Sequence, residues 1–101
     1  MDETITAPRT SEEVKPARPK LHKVILLNAP YTPRAFVVLV LKAEFRMGDG
    51  TARSVMLTAH RLGSCVVAVF TKEVAEEKAT RATDMARKEG HPLTFTTEPE
   101  E

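Results

Sequence analysis

From residue 21 onward, apolar runs and amphipathic stretches alternate, and the period of each predicts its element. Residues 22–28, HKVILLN, are almost continuously apolar, the pattern of a strand buried on both faces. Thr32-Pro33 then reads as a helix start, with a threonine able to cap free amides and a proline suited to the first helical position. The valines Val37, Val38 and Val40 favour strand. The i, i+4 pairs Phe36/Val40 and Val37/Leu41 tip the segment towards a helix that ends before Gly48. Gly48-Asp49-Gly50 reads as a loop. From Thr51 to Leu62 the apolar spacing is that of a helix, with Ala52, Val55, Met56 and Ala59 at i, i+3, i+4 and i+7 and Gly63 as its stop.

Residues 64–71, SCVVAVFT, predict a second strand. Thr71 is expected to cap a third helix, whose alanine stripe runs Ala75, Ala79, Ala82, Ala86. Glu73 stands near the positive end of that helix, and Glu77/Arg81 and Asp84/Lys88 are expected as ion pairs on its wet side. Gly90 and Pro92 stop it, and residues 93–97 form a short last strand. The order is β-α-α-β-α-β. It predicts a two-layer α/β (α+β) sandwich, with a three-stranded, mostly antiparallel sheet and three helices on one face.

Residues 1–20 change the picture at one end. They carry three prolines, mixed charge and almost nothing large and apolar, so a flexible tail is expected there. The chain is thus read as a tail over 1–20, one domain over 21–98 and a fraying end over 99–101. With 101 residues there is room for one small domain and not two. The net charge of +1 argues against a general nucleic-acid binder and against electrostatic attachment to a membrane. No apolar run approaches the roughly 20 residues of a membrane span, and the tail lacks the apolar centre of a signal peptide. Cys65 is the only cysteine, so no internal disulfide forms; a reducing compartment, the cytoplasm, is expected, with Cys65 as a small buried hydrophobe.

Candidate chemistry is sparse. His22, His60 and His91 are scattered, and no Cys/His pair has metal-ligand spacing, so neither a metal nor a cofactor is expected. There is no phosphate loop and no G-x-S-x-G elbow, and the chain is not read as an enzyme. Two features remain. The stretch LNAPYTPRAF places a stiff polar corner between two apolar segments without using a glycine. His60 shares a helix face with Met56 and sits beside Ala59, at the edge of an apolar stripe. By themselves these residues fit structural roles equally: a histidine satisfied by a carbonyl, and Asn28 closing an Asx turn.

The blocks KVILLNAPYTPRAFV (23–37), VMLTAHRLGSCVVAVFTKEVAEEKA (55–79) and ARKEGHPLTF (86–95) resemble the ClpS family, adaptors of the ATP-dependent Clp protease, in order and in spacing. The resemblance implies a non-enzymatic adaptor. Such proteins bind a protein whose first residue is Leu, Phe, Tyr or Trp, an N-degron, and deliver it to the Clp AAA+ unfoldase. It implies that Asn28 and His60 accept hydrogen bonds from the ligand's α-amino group. It places Ala29, Pro30, Thr32 and Arg34 at the pocket mouth or along the ligand backbone, and Val37, Met56, Ala59 and Leu93 in the hydrophobic pocket. Glu73 and Lys78 match positions that dock on the N-terminal domain of a Clp ATPase (ClpA-like), and the tail matches a segment that assists transfer. A monomer is expected. The chain is a divergent member: Ala29 and Pro30 replace acidic residues, Arg34 replaces a methionine and Ala35 a glutamate. The lost acids motivate an alternative, a regulator that docks on the ATPase without strong degron binding. A small hydrolase using His60 has only the histidine behind it.

Overall fold

The computed structural model describes residues 20–100; all of the expected tail over residues 1–20 except Lys20 lies outside them. The elements are β1 (Leu21–Leu27), α1 (Arg34–Phe45), α2 (Asp49–Leu62), β2 (Ser64–Thr71), α3 (Lys72–Lys88) and β3 (Phe95–Pro99). The sheet order is β2-β1-β3, and both pairings are antiparallel. β1 is central because its sequence tolerates burial on both sides. Val24 and Leu26 join the main core, while Ile25 between them is buried on the opposite face. Along β2 the register steps from Val24↔Ala68 to Ile25↔Val66, so Val67 is the extra residue of a bulge.

The helices cover one face. α3 packs against all three strands, α2 lies mainly against β2, and α1 rests on α2 and α3. The alanine stripe of α3 is buried throughout. With only methyl groups in the interface, the helix backbone can lie close to the sheet. α1 is helical despite its valines, because Val37, Val40 and Leu41 make one buried stripe. Only Leu39 among its large apolar side chains is left outside, 54% exposed.

Several local expectations need correction. Pro33, not Thr32, is the N-cap of α1, and no side chain caps that helix. Proline fixes the extended entry, and Thr32 sits one residue too early for its hydroxyl to reach the free amides. Thr71 does hold the N-cap position of α3 with extended backbone, but its hydroxyl makes no capping bond. α2 begins at Asp49, so two residues of the expected loop are helical. A carboxylate suits the positive helix start, and Asp49 is further fixed by Arg53 at 2.7 Å and Lys42 at 3.3 Å. Those two cations hold its carboxyl below the usual range, the Arg53 hydrogen bond contributing most. Glu77 pairs with Arg81 as expected, whereas Asp84 pairs with Arg87 rather than Lys88. The last strand is shifted to Phe95–Pro99. Pro99 therefore pairs opposite His22, and the Glu100 N–H donates to the Leu21 carbonyl at 2.8 Å, so backbone pairing runs on to Glu100.

α2 and α3 both end on glycine in the left-handed region. Gly63 has φ 94°, and its N–H donates to the Ala59 carbonyl. Gly90 has φ 77°. Its N–H donates to the Arg87 carbonyl and the His91 N–H to that of Ala86, a Schellman closure. The closure swings His91 onto Phe36, ring centroids 4.5 Å apart, and directs the following chain back across the sheet end.

Candidate functional site

The corner after β1 is a β-turn over residues 29–32. The Thr32 N–H donates to the Ala29 carbonyl at 3.0 Å, and Pro30 takes the second position, where its fixed φ suits the turn. The corner is also pinned from two sides. The Asn28 N–H donates to the Gly63 carbonyl at 3.0 Å, and the Leu27 N–H donates to Thr94 at 3.1 Å. The end of β1, the end of α2 and the segment before β3 are thereby drawn to one edge of the domain. The prolines explain why this corner needs no glycine, and Gly63 explains how Asn28 is set beside the α2 turn that carries His60.

A cavity of about 150 Å³ opens where these segments meet. Its walls are Leu26, Val37, Met56, Ala59 and Leu93, each no more than 8% exposed. Asn28, Ala29, Pro30, Thr32, Arg34 and His60 also line it. All ten residues assigned to ligand and pocket from the resemblance therefore share one cavity. Leu26 and Leu27 line it as well and were missed. A signal was available for Leu26: Leu26 and Asn28 are two apart at a strand end and so take the same side, whereas alternation gives none for Leu27. A cavity of this size with an aliphatic wall is large enough for one aromatic ring, since an engineered cavity of about 150 Å³ holds benzene.

The mouth is polar. Arg34 Nη2 lies 3.4 Å from His60 Nε2. A guanidinium has only donors, so in this contact Nε2 takes the acceptor role. The exposed side chain of Asn28 adds a carbonyl oxygen and an amide. Thr32 is 7% exposed, and its hydroxyl has no partner among the described residues. No carboxylate lines the cavity among the described residues. The site thus combines an apolar-walled, ring-sized hole with hydrogen-bond acceptors at its entrance.

The two residues expected to dock on a partner lie elsewhere, on the first half of α3. Glu73 is exposed in the first turn. Lys78 is part-buried: its ammonium donates to the Glu44 carbonyl near the end of α1 at 3.1 Å and lies 5.8 Å from the Phe70 ring centre. Much of its donor capacity therefore joins α3 to α1. Cys65 is half-buried, and desolvation raises its thiol pKa, which keeps it protonated and a poor nucleophile. No three His, Cys, Asp or Glu side chains gather as a metal site among the described residues.

A small α/β domain with an apolar-walled cavity and acceptors at its mouth is built to hold a ligand side chain. The family model described as ATP-dependent Clp protease adaptor protein ClpS matches residues 17–96, and the chain belongs to that family. It is 63% identical over 101 residues to the ATP-dependent Clp protease adapter protein ClpS 1 of Bradyrhizobium diazoefficiens, covering all of both chains. It is 60% identical over 101 residues to ClpS 2 of Mesorhizobium japonicum, again over the whole of both. Among solved structures, that of Agrobacterium tumefaciens ClpS2 bound to L-phenylalaninamide is similar at a TM-score of 0.81 and 61% identity, covering 82% of this chain and all of that one.

Proposed function

We propose that this chain is an N-degron adaptor: it binds proteins that begin with a bulky hydrophobic residue and delivers them to a Clp AAA+ unfoldase. The carrying observation is the junction of an apolar, ring-sized cavity with two uncharged acceptors, Asn28 and His60, at its mouth. Phenylalaninamide, the ligand of the Agrobacterium relative, is chemically an N-terminal phenylalanine with the rest of the polypeptide reduced to one amide nitrogen. The side chain enters the hole, where burial of a Leu or Phe side chain contributes roughly 1.5–3 kcal/mol. The α-ammonium stays at the mouth, where the Asn28 side-chain oxygen and His60 Nε2 accept its protons. Thr32 offers its unpartnered hydroxyl to the ligand backbone. An internal Phe fails twice, having no ammonium to satisfy the acceptors and a chain that cannot end at the pocket mouth.

Delivery places the partner on the N-terminal domain of a Clp ATPase, with Glu73 and Lys78 in the docking surface and the adaptor acting as a cytoplasmic monomer. Among the described residues no helix is long and apolar enough to cross a membrane. A second reading, docking and regulation without strong degron binding, is favoured by one observation: Arg34 already occupies the His60 acceptor. Fluorescence anisotropy separates the two. The adaptor binds a labelled Phe-first peptide and ignores its N-acetylated twin. Failure to bind either supports the regulator, and equal binding of both rejects recognition of the free amino terminus.

A further inference from the structure

Beside the cavity runs a second, larger depression of about 670 Å³, a groove between α1 and α2. Arg34 and Met56 line both, so the groove begins where the cavity ends. Its floor is apolar, with Val38 buried and Leu39 and Leu57 exposed by 54% and 39%. Its charged lining is cationic. Arg34, Lys42 and Arg53 face one carboxylate, Asp49, and that carboxylate is already held by both Lys42 and Arg53. Arg34 is the cation nearest the cavity, and its only hydrogen-bonded partner among the described residues is the His60 ring.

Granted the adaptor function proposed above, we infer that Arg34 selects the ligand's second residue and favours an acidic side chain there. The Arg34 guanidinium stands 3.4 Å from His60 Nε2. An incoming α-ammonium needs that same lone pair, and two cations cannot share it. Binding therefore releases the guanidinium at the step between cavity and groove, where the second ligand residue leaves the pocket. A carboxylate at that residue accepts the released guanidinium, and Arg34 has the planar fork that suits a two-oxygen acceptor. A lysine there meets a like charge, with no carboxylate lining the cavity to offset it. Ala29 and Pro30 supply no opposing charge at the mouth, so nothing on that side cancels the preference.

The test uses the full chain and three labelled peptides, Phe-Glu, Phe-Gln and Phe-Lys followed by one common sequence. Affinity is expected to fall in that order, each step by about two- to fivefold, as for exposed charge pairs, and the spread should shrink as salt is raised. Arg34→Gln should bring the Glu-to-Lys ratio near one, and Arg34→Lys should retain part of it. Equal wild-type affinity for all three peptides overturns the inference while leaving the degron reading intact. An undiminished ratio in Arg34→Gln overturns it too. Binding of none of the three by the wild type sinks the degron reading and this inference together.

Discussion

In the proposed site His60 accepts from the ligand's α-ammonium through Nε2, the nitrogen that faces Arg34. A ring with N–H groups on both nitrogens would offer no acceptor and would set a positive charge against the ligand's ammonium. His60→Ala and Asn28→Ala should each weaken binding by about 1.5–3 kcal/mol, the worth of a hydrogen bond to a charged group, with little change in the thermal midpoint because both side chains are exposed. At this scale the site was legible only through the family blocks. One histidine and one asparagine 32 positions apart carry no local signal that they meet, whereas the apolar wall residues Met56 and Ala59 declared themselves by helical spacing.

At the level of elements, the periodic pattern predicted type and order, and the errors gathered at boundaries. Thr32 illustrates why: Thr-Pro looks like a cap followed by a first helical residue, but the β-turn pulls Thr32 inward and makes Pro33 the cap. The shift of β3 has a similar origin. Leu93 is apolar because it lines the cavity, so it imitates a strand residue. Two substitutions probe how the elements are joined. Ala82 is fully buried in the α3 stripe, so Ala82→Leu should force the helix off the sheet and lower stability by about 1–3 kcal/mol in urea unfolding. Gly63→Ala meets no neighbouring atom within 4 Å, yet φ 94° is a conformation that L residues rarely adopt. It should cost about 1–2 kcal/mol from backbone strain, and it should also weaken peptide binding, because the Gly63 carbonyl holds the Asn28 backbone. Destabilisation with unaltered affinity would show that the Gly63 anchor does not position the acceptor.

For the whole molecule, the cavity and the proposed docking residues lie on different elements. The cavity is made by the ends of β1 and α2 and the segment before β3, while Glu73 and Lys78 stand on α3. Binding and delivery should therefore separate. Deleting residues 1–20 is expected to leave the affinity for a Phe-first peptide unchanged and to slow Clp-dependent degradation of a Phe-first reporter; equal degradation rates would contradict a part for that segment in transfer. Glu73→Ala should behave likewise, whereas Lys78→Ala should also lower stability, since it removes the link to the Glu44 carbonyl. The fold class was legible from element order, because three strands interleaved with amphipathic helices bury their apolar faces by layering the helices on the sheet. The convergence of three distant segments on one cavity was not, being fixed by backbone hydrogen bonds such as Asn28 to Gly63 that leave no trace in side-chain pattern. The central claim, that an apolar hole rimmed by uncharged acceptors senses where a polypeptide begins, is tested most directly by the crystal structure of the complex with a short Phe-first peptide. The amine nitrogen should lie about 3 Å from both the Asn28 side-chain oxygen and His60 Nε2, with the ring in the cavity. An amine directed into solvent, away from both groups, would contradict it.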